Sequence, residues 1–380
     1  MPAGRIMTAT TPLICAVVAA LVVVCLTPLS SRLARAVGAV DHPAGRRIHS
    51  APTPRLGGLA ILCGFLAPVL YFFPDDAQAR GLVVGAALIA LLGAADDIFG
   101  LTPAVKLVGQ LACASVPVSA GLTIDHITLP LVGVGDLGPA QYPLSLFWFV
   151  AIANMINFID GMDGLAAGVS GIGATTFAVL AASLNRDQPA VLAAALAGAC
   201  IAFLIFNFHP ARVFMGDSGS MLLGYVLAGV SISGVMKSAA AVAVVLPLLV
   251  LAIPILDTSF VVLKRLKHGL PIYGADRSHF HHRFFNIGWG QRRTVLALYG
   301  WCVLMGIVAL TARFVPYSDG HGHYRLPGTI AVGVALVVAL AAAAYLVYVL
   351  EILKWRSTPV VTIVRRQRME RAARAGRGVT

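Results

Sequence analysis

Apolar residues run through this chain in long blocks separated by short polar loops, and the blocks carry neither strand alternation nor a narrow helical stripe. They lie near 12–30, 56–73, 81–95, 107–122, 143–159, 164–184, 189–207, 219–236, 239–263, 294–312 and 328–350. Blocks of roughly 16 to 25 residues are long enough to cross a hydrocarbon core as helices. The fold expected is therefore an all-α polytopic membrane protein of about 11 transmembrane helices. The loop 123–138, rich in β-branched residues and glycine, predicts a small external β-hairpin.

Composition agrees with that pattern. Of 380 residues, 58% are hydrophobic and only 12% are charged, and the mean hydropathy is +0.86. A soluble domain carries about twice that charged fraction. The net charge of +12 invites a nucleic-acid reading, but its distribution argues against one. With residue 1 outside, 22 Lys and Arg fall on the internal side and six on the external side. Such asymmetry predicts an external N-terminus and an internal C-terminus. The first block lacks a small-residue cleavage site and is followed by Arg32 and Arg35, so it reads as a retained helix. All six cysteines lie in apolar blocks without a Cys-x-x-Cys pair, as small core residues do. Residues 1–353 form one membrane domain in this reading. A basic tail follows over 354–380, with eight Lys or Arg against Glu370 alone. The tail reads either as a solvated segment or as one drawn to anionic inner-leaflet lipid.

Chemistry concentrates in the internal loops. Asn154, Asn157, Asp160 and Asp163 are spaced by three, so a helix gathers them into one polar stripe at a membrane exit. Asp96 and Asp97 follow an apolar block directly, and adjacent carboxylates call for a nearby cation; Lys106 is a candidate to screen them or to hold a phosphate. Asn207 opens a run that passes through His209 and ends in Gly216-Asp217-Ser218-Gly219-Ser220, where Asp217 reads as a helix N-cap or as a magnesium ligand. Asp276-Arg277-Ser278-His279-Phe280-His281-His282-Arg283 has no cysteine partner, and its arginines repel cations, so it suits pyrophosphate better than zinc. His49, Thr53 and Arg55 belong to a stiff Pro- and Gly-shaped loop of anion-binding character. Asp257, inside an apolar block, needs a partner, structural or catalytic.

In order along the chain these read His-x-x-Pro-Thr-Pro-Arg-x-Gly-Gly, Asp-Asp-x-x-Gly, Asn-x-x-Asn-x-x-Asp-Gly-x-Asp-Gly, Phe-Met-Gly-Asp-Ser-Gly and Asp-Arg-x-His-x-His-His. Five ordered motifs resemble the polyprenyl-phosphate N-acetylhexosamine-1-phosphate transferase superfamily. The resemblance implies ten or eleven spans and a Mg2+-dependent cytoplasmic site at the inner membrane, with Mn2+ as a substitute. There a sugar 1-phosphate from a UDP-sugar would join a polyprenyl phosphate. It implies Asp217 as metal ligand, Asp96 and Asp97 toward the lipid phosphate, and Asp160 and Asp163 among the catalytic carboxylates. Asn154, Asn157 and Asn207 would contact substrate, while Lys106, Arg277, His279, His281 and His282 would neutralise phosphates. His49, Thr53 and Arg55 would shape the entry.

Phe280 interrupts the histidine run, which resembles the branch using UDP-N-acetylglucosamine. The branch using UDP-N-acetylmuramoyl-pentapeptide typically has three consecutive histidines and stands as the alternative. A transporter or lipid-carrier flippase is the non-enzymatic rival, but its ionisable residues belong near the bilayer midplane. Expected partners are the UDP-sugar, the polyprenyl phosphate and the bilayer, with no nucleic acid; a homodimer stays open.

Overall fold

In hydrocarbon a helix lets one segment satisfy its own backbone, and the described residues of the apolar blocks are mainly helical. The computed structural model describes residues 8–41, 52–129, 133–236, 245–267, 288–315 and 325–349, with Gly269 and Phe284. The helices are α1 (Thr11–Ala36), α2 (Gly57–Phe72), α3 (Ala77–Phe99), α4 (Pro103–Ser119), α5 (Gln141–Ile159) and α6 (Leu165–Ser183). They continue as α7 (Asp187–Asn207), α8 (Gly216–Ser231), α9 (Val245–Val250), α10 (Ala252–Lys267), α11 (Gln291–Phe314) and α12 (Leu326–Val349). Among the described residues, six helices are long and apolar enough to cross a membrane: α1, α3, α5 with its preceding 3-10 turn, α6, α7 and α11. The chain is thus a largely helical, multi-pass membrane protein. Compact packing divides it after Leu336, so α12 runs across the boundary between a large unit and a second one beginning at Val337.

Two blocks differ from single straight helices. The block 219–236 gives α8 followed by a π-helical turn over Ile232–Met236. The block 239–263 is broken into α9 and α10. Pro254 has no N–H to continue the ladder, and its ring conflicts with the carbonyl four residues earlier, at Val250, where α9 stops. The expected hairpin is present: His126–Leu129 pairs antiparallel with Gly133–Asp136. A second ladder was not anticipated, in which Val40 and Asp41 pair with Pro54 and Thr53.

Helix α8 is the centre of the large unit. Every residue from Ser218 to Ser231 is buried. Small residues let its backbone come close to neighbours, as in membrane bundles generally. A Cβ on Gly58 of α2 would enter the backbone at Ser218–Gly219, and one on Gly93 of α3 would enter the carbonyl of Asp217. On the far side Tyr225 packs against Phe149 of α5, with ring centroids 4.8 Å apart. Its hydroxyl donates to the Cys113 carbonyl of α4 at 2.8 Å. Leu13, Ile14, Val17 and Leu21 on α1 are exposed, which suits a face toward lipid tails. All six cysteines are free.

Candidate active site

Sharp turns between helices build the site. Gly100, at a φ of +67° that favours glycine, ends α3, and Thr102 with Pro103 starts α4. The turn is pinned where the Leu101 N–H donates to Asp96 Oδ1 at 2.6 Å. The chain therefore doubles back and sets Lys106, in the first turn of α4, beside Asp96 at the end of α3. Its Nζ lies 3.0 Å from Asp96 Oδ2, also pairs with Asp217, and donates to Asn157 Oδ1 at 3.4 Å. Asn157, near the end of α5, donates its amide to Asp217 Oδ1 at 3.0 Å and to Ser220 Oγ at 2.8 Å. Four helix ends thus meet at one polar knot.

The start of α8 is fixed from outside its own chain segment. Asp97 Oδ1 and Oδ2 accept from the backbone N–H of Asp217 and Ser218, each at 3.1 Å. Its side chain is 1% exposed and lies 3.7 Å from Arg55 Nε. Asp97 therefore caps α8 from α3, turned to backbone amides while its neighbour Asp96 turns to Lys106. The reason is geometric, since consecutive residues on a helix point about 100° apart. Gly216, at φ +68°, has no room for a Cβ, which would meet the Arg55 carbonyl and Asp97. The loop carrying Arg55 is stitched to the same place. Phe214 N–H donates to the Pro54 carbonyl at 2.8 Å, and Gly57 and Gly58 N–H donate to Phe214 and Met215 carbonyls at 3.0 Å.

Other expected site residues are placed differently. Asn154 exchanges hydrogen bonds with Gln110 of α4 and also donates to the Val150 carbonyl at 2.8 Å, so its amide is engaged within the protein. Asn207 is buried, accepting from Gly164 N–H at 3.1 Å and donating to the Val213 carbonyl at 3.0 Å, so its amide ties the loop after α7 to the start of α6. Asp163 is buried; its Oδ2 accepts from Ala211 N–H at 3.0 Å and lies 2.8 Å from His209 Nδ1. Thr53 is buried in the short ladder. Asp257 is buried within α10. His49, Arg277, His279, His281 and His282 lie outside the described residues. Sequence reasoning passed over Gln110, Ser220 and His209. Ser220 and His209 stood inside quoted motifs, but Gln110 gave no signal beyond one amide in an apolar block.

The charges are unbalanced. Asp96, Asp97, Asp160 and Asp217 face Lys106 and Arg55. Burial pushes Asp160 up to about 8, and the Asp217 and Asp97 carboxylates add to it against a smaller pull from Arg55. Asp160 keeps partial solvent access, yet protein surrounds it densely enough for desolvation to dominate. Burial also works to raise Asp217, but its hydrogen bond with Asp96 and the Lys106 charge outweigh this and hold it below the ordinary range. Lys106 is held above its ordinary value, because Asp217 and Asp96 together overcome its burial. No group of three or more His, Cys, Asp or Glu among the described residues is arranged to cage a metal alone. The donors are hard oxygens with a cation deficit. They fit magnesium, which takes one or two carboxylates and fills its shell with water and phosphate oxygens.

The family described as glycosyl transferase family 4 matches residues 79–235. The chain is 41% identical over 285 residues to a probable undecaprenyl-phosphate N-acetylglucosaminyl 1-phosphate transferase of Bacillus subtilis (strain 168), covering 74% of this chain and 80% of the relative. It is 37% identical to a decaprenyl-phosphate N-acetylglucosaminephosphotransferase of Mycobacterium leprae (strain TN), covering 85% and 88%. It is 34% identical to a phospho-N-acetylmuramoyl-pentapeptide-transferase of Moorella thermoacetica, covering 70% and 86%.

Proposed function

Because the chain belongs to the superfamily of polyprenyl-phosphate N-acetylhexosamine-1-phosphate transferases, within glycosyl transferase family 4, we propose that it moves N-acetylglucosamine 1-phosphate from UDP-N-acetylglucosamine to undecaprenyl phosphate or a similar polyprenyl phosphate. A lipid phosphate oxygen attacks the β-phosphorus, the bond between the two phosphorus atoms' bridging oxygen and that phosphorus breaks, and UMP leaves. The lipid-pyrophosphate-sugar remains, and the step opens a cell-envelope polysaccharide pathway. The observation that carries this reading is the meeting of Asp96, Lys106, Asn157 and Asp217 from four helix ends.

Both reactants are anionic, so positioning and charge neutralisation dominate such a transfer. Lys106 supplies a cation to a phosphate oxygen, and Asp96 orients Lys106. Asn157 fixes Asp217, while Asp97 with Arg55 holds the start of α8 in place. Asp217 and Asp160 are the residues that would hold Mg2+, which when bound supplies Lewis-acid charge to the phosphates. Mn2+ is the natural substitute. The chain spans the cytoplasmic membrane eleven times in this reading, N-terminus outside and C-terminus inside, with the site on the cytoplasmic face. The internal excess of Lys and Arg supports that orientation.

The N-acetylglucosamine branch is preferred to the pentapeptide branch on the interrupted histidine run and on the higher identity to relatives named for N-acetylglucosamine. The test incubates purified protein with Mg2+, a polyprenyl phosphate and either UDP-N-acetylglucosamine or UDP-N-acetylmuramoyl-pentapeptide, then weighs the lipid product by mass spectrometry. A product carrying N-acetylglucosamine phosphate is expected. A product only from the pentapeptide nucleotide overturns the choice of sugar, and none from either overturns the reading.

A further inference from the structure

Gln110 belongs to none of the motifs quoted above, yet it is 1% exposed in the apolar part of α4. A buried amide in such surroundings is costly unless it is answered. Gln110 Nε2 donates to Asn154 Oδ1 at 3.2 Å, Asn154 Nδ2 donates to Gln110 Oε1 at 2.7 Å, and Gln110 Nε2 lies 3.1 Å from Met221 Sδ. Four residues separate Gln110 from Lys106 on α4, so both occupy one face, a turn apart. Asn154 is likewise one turn from Asn157 on α5, and Met221 one turn from Asp217 on α8. The same three helices thus carry two stacked polar layers, one at the site and one deeper.

The deeper layer has a task that apolar packing performs poorly here. Val105, Leu107, Val108 and Leu111 are exposed, while Cys113, Ala114, Pro117 and Val118 are buried. Both faces of α4 are therefore apolar over much of its length. Lipid tails are as apolar as a protein core, so hydrophobicity does little to fix which way such a helix turns. A rotation of about 20° at a side-chain radius of about 6 Å moves a tip by about 2 Å. That displacement breaks a hydrogen bond.

We propose that Gln110 is a positioning residue for Lys106: locked to Asn154 and Met221, it fixes the rotation of α4 against α5 and α8 and so holds Nζ among Asp96, Asn157 and Asp217. The placement stands on geometry alone; its consequence for catalysis rests on the transferase reading above. Gln110 touches no reacting atom in this scheme. It acts through Lys106.

The test uses the full chain in detergent with two readouts. Brief acetic anhydride labelling followed by peptide mass spectrometry reports access to Lys106, with Lys264 as internal reference. Gln110→Leu and Asn154→Leu are each expected to speed Lys106 labelling by about threefold or more while Lys264 is unchanged. Each is also expected to lower kcat about tenfold or more with KM for the UDP-sugar within about twofold. In a Lys106→Gln background the added Gln110→Leu should cost less than about twofold, because the two act as one unit. Should Gln110→Leu fail to fold, Asn154→Leu breaks the pair from the other side. Unchanged Lys106 labelling in the variants, or an undiminished Gln110→Leu effect without Lys106, overturns the proposal. If labelling responds while wild-type protein transfers no sugar phosphate, positioning is upheld and the transferase reading falls.

Discussion

Asp97→Asn separates a structural carboxylate from a chemical one. Asp97 accepts two backbone N–H groups at 3.1 Å with its two oxygens. Asparagine keeps one acceptor and turns an NH2 toward the other N–H. The lost bond to a charged acceptor is worth about 1.5–3 kcal/mol. Removing negative charge at the start of α8 adds about 0.3–1 kcal/mol. The variant should therefore be destabilised by about 2–4 kcal/mol, with Arg55 left without its facing carboxylate. Were Asp97 instead a proton acceptor in the reaction, its loss would remove about 10²- to 10⁴-fold in rate and leave folding untouched. Thermal and denaturant unfolding of the metal-free protein, read beside kcat, decides between them. A variant as stable as wild type within about 0.5 kcal/mol but slowed a hundredfold or more would refute the capping role.

Bond counting makes the reaction near-reversible, so labelled UMP should exchange into UDP-N-acetylglucosamine; chelation should stop the exchange and Mg2+ restore it. Asp217→Asn should abolish exchange with folding retained, and exchange persisting in that variant would remove Asp217 from the metal site. Asp160, raised to about 8 in the folded protein, binds its proton more tightly there than in the unfolded chain. It therefore stabilises the metal-free fold at low pH, and that contribution fades as pH rises from about 4 to about 8, at up to about 1.4 kcal/mol per unit. Asp160→Asn should lower this slope in unfolding experiments by the share of Asp160, the other carboxylates of the cluster keeping theirs, and an unaltered slope would place the titration elsewhere. Gly93→Ala pushes a methyl into the Asp217 carbonyl. It should cost about 1–3 kcal/mol or more, seen as lost monodisperse yield, whereas an intact, active variant would mean that α3 and α8 have more slack than described.

The helices were legible because a bilayer admits few alternatives: an apolar block such as 189–207 has little choice but to become α7. The break between α9 and α10 was less legible, since Pro254 could have kinked a helix instead of ending one. Motifs announced which loops gather, and Asp96, Lys106, Asn157 and Asp217 do meet. They did not announce what each side chain does. Asp96 and Asp97 are neighbours in sequence, yet helical rotation sends one to Lys106 and the other to backbone amides. Asn154 and Asn157 share a stripe, but the deeper residue is matched by an amide on a different helix, a pairing that one sequence cannot signal. His209 was read only as part of a motif, and nothing local to it points to Asp163, 46 residues earlier.

The wall around α8 has a bearing on how the protein is made. The helices packed on its flanks include α2, α3, α5, α6 and α7, all of which leave the ribosome first. They must assemble around a gap, or stay loosely associated, until the stretch through Ser231 is delivered. A chain halted before that point would hold the lysine and most of the acids but lack the strut that lines them up. Alignment of these residues is therefore a late event in synthesis, and nascent chains long enough to bring Ser231 clear of the ribosome should be sharply more protease-resistant than chains too short to do so.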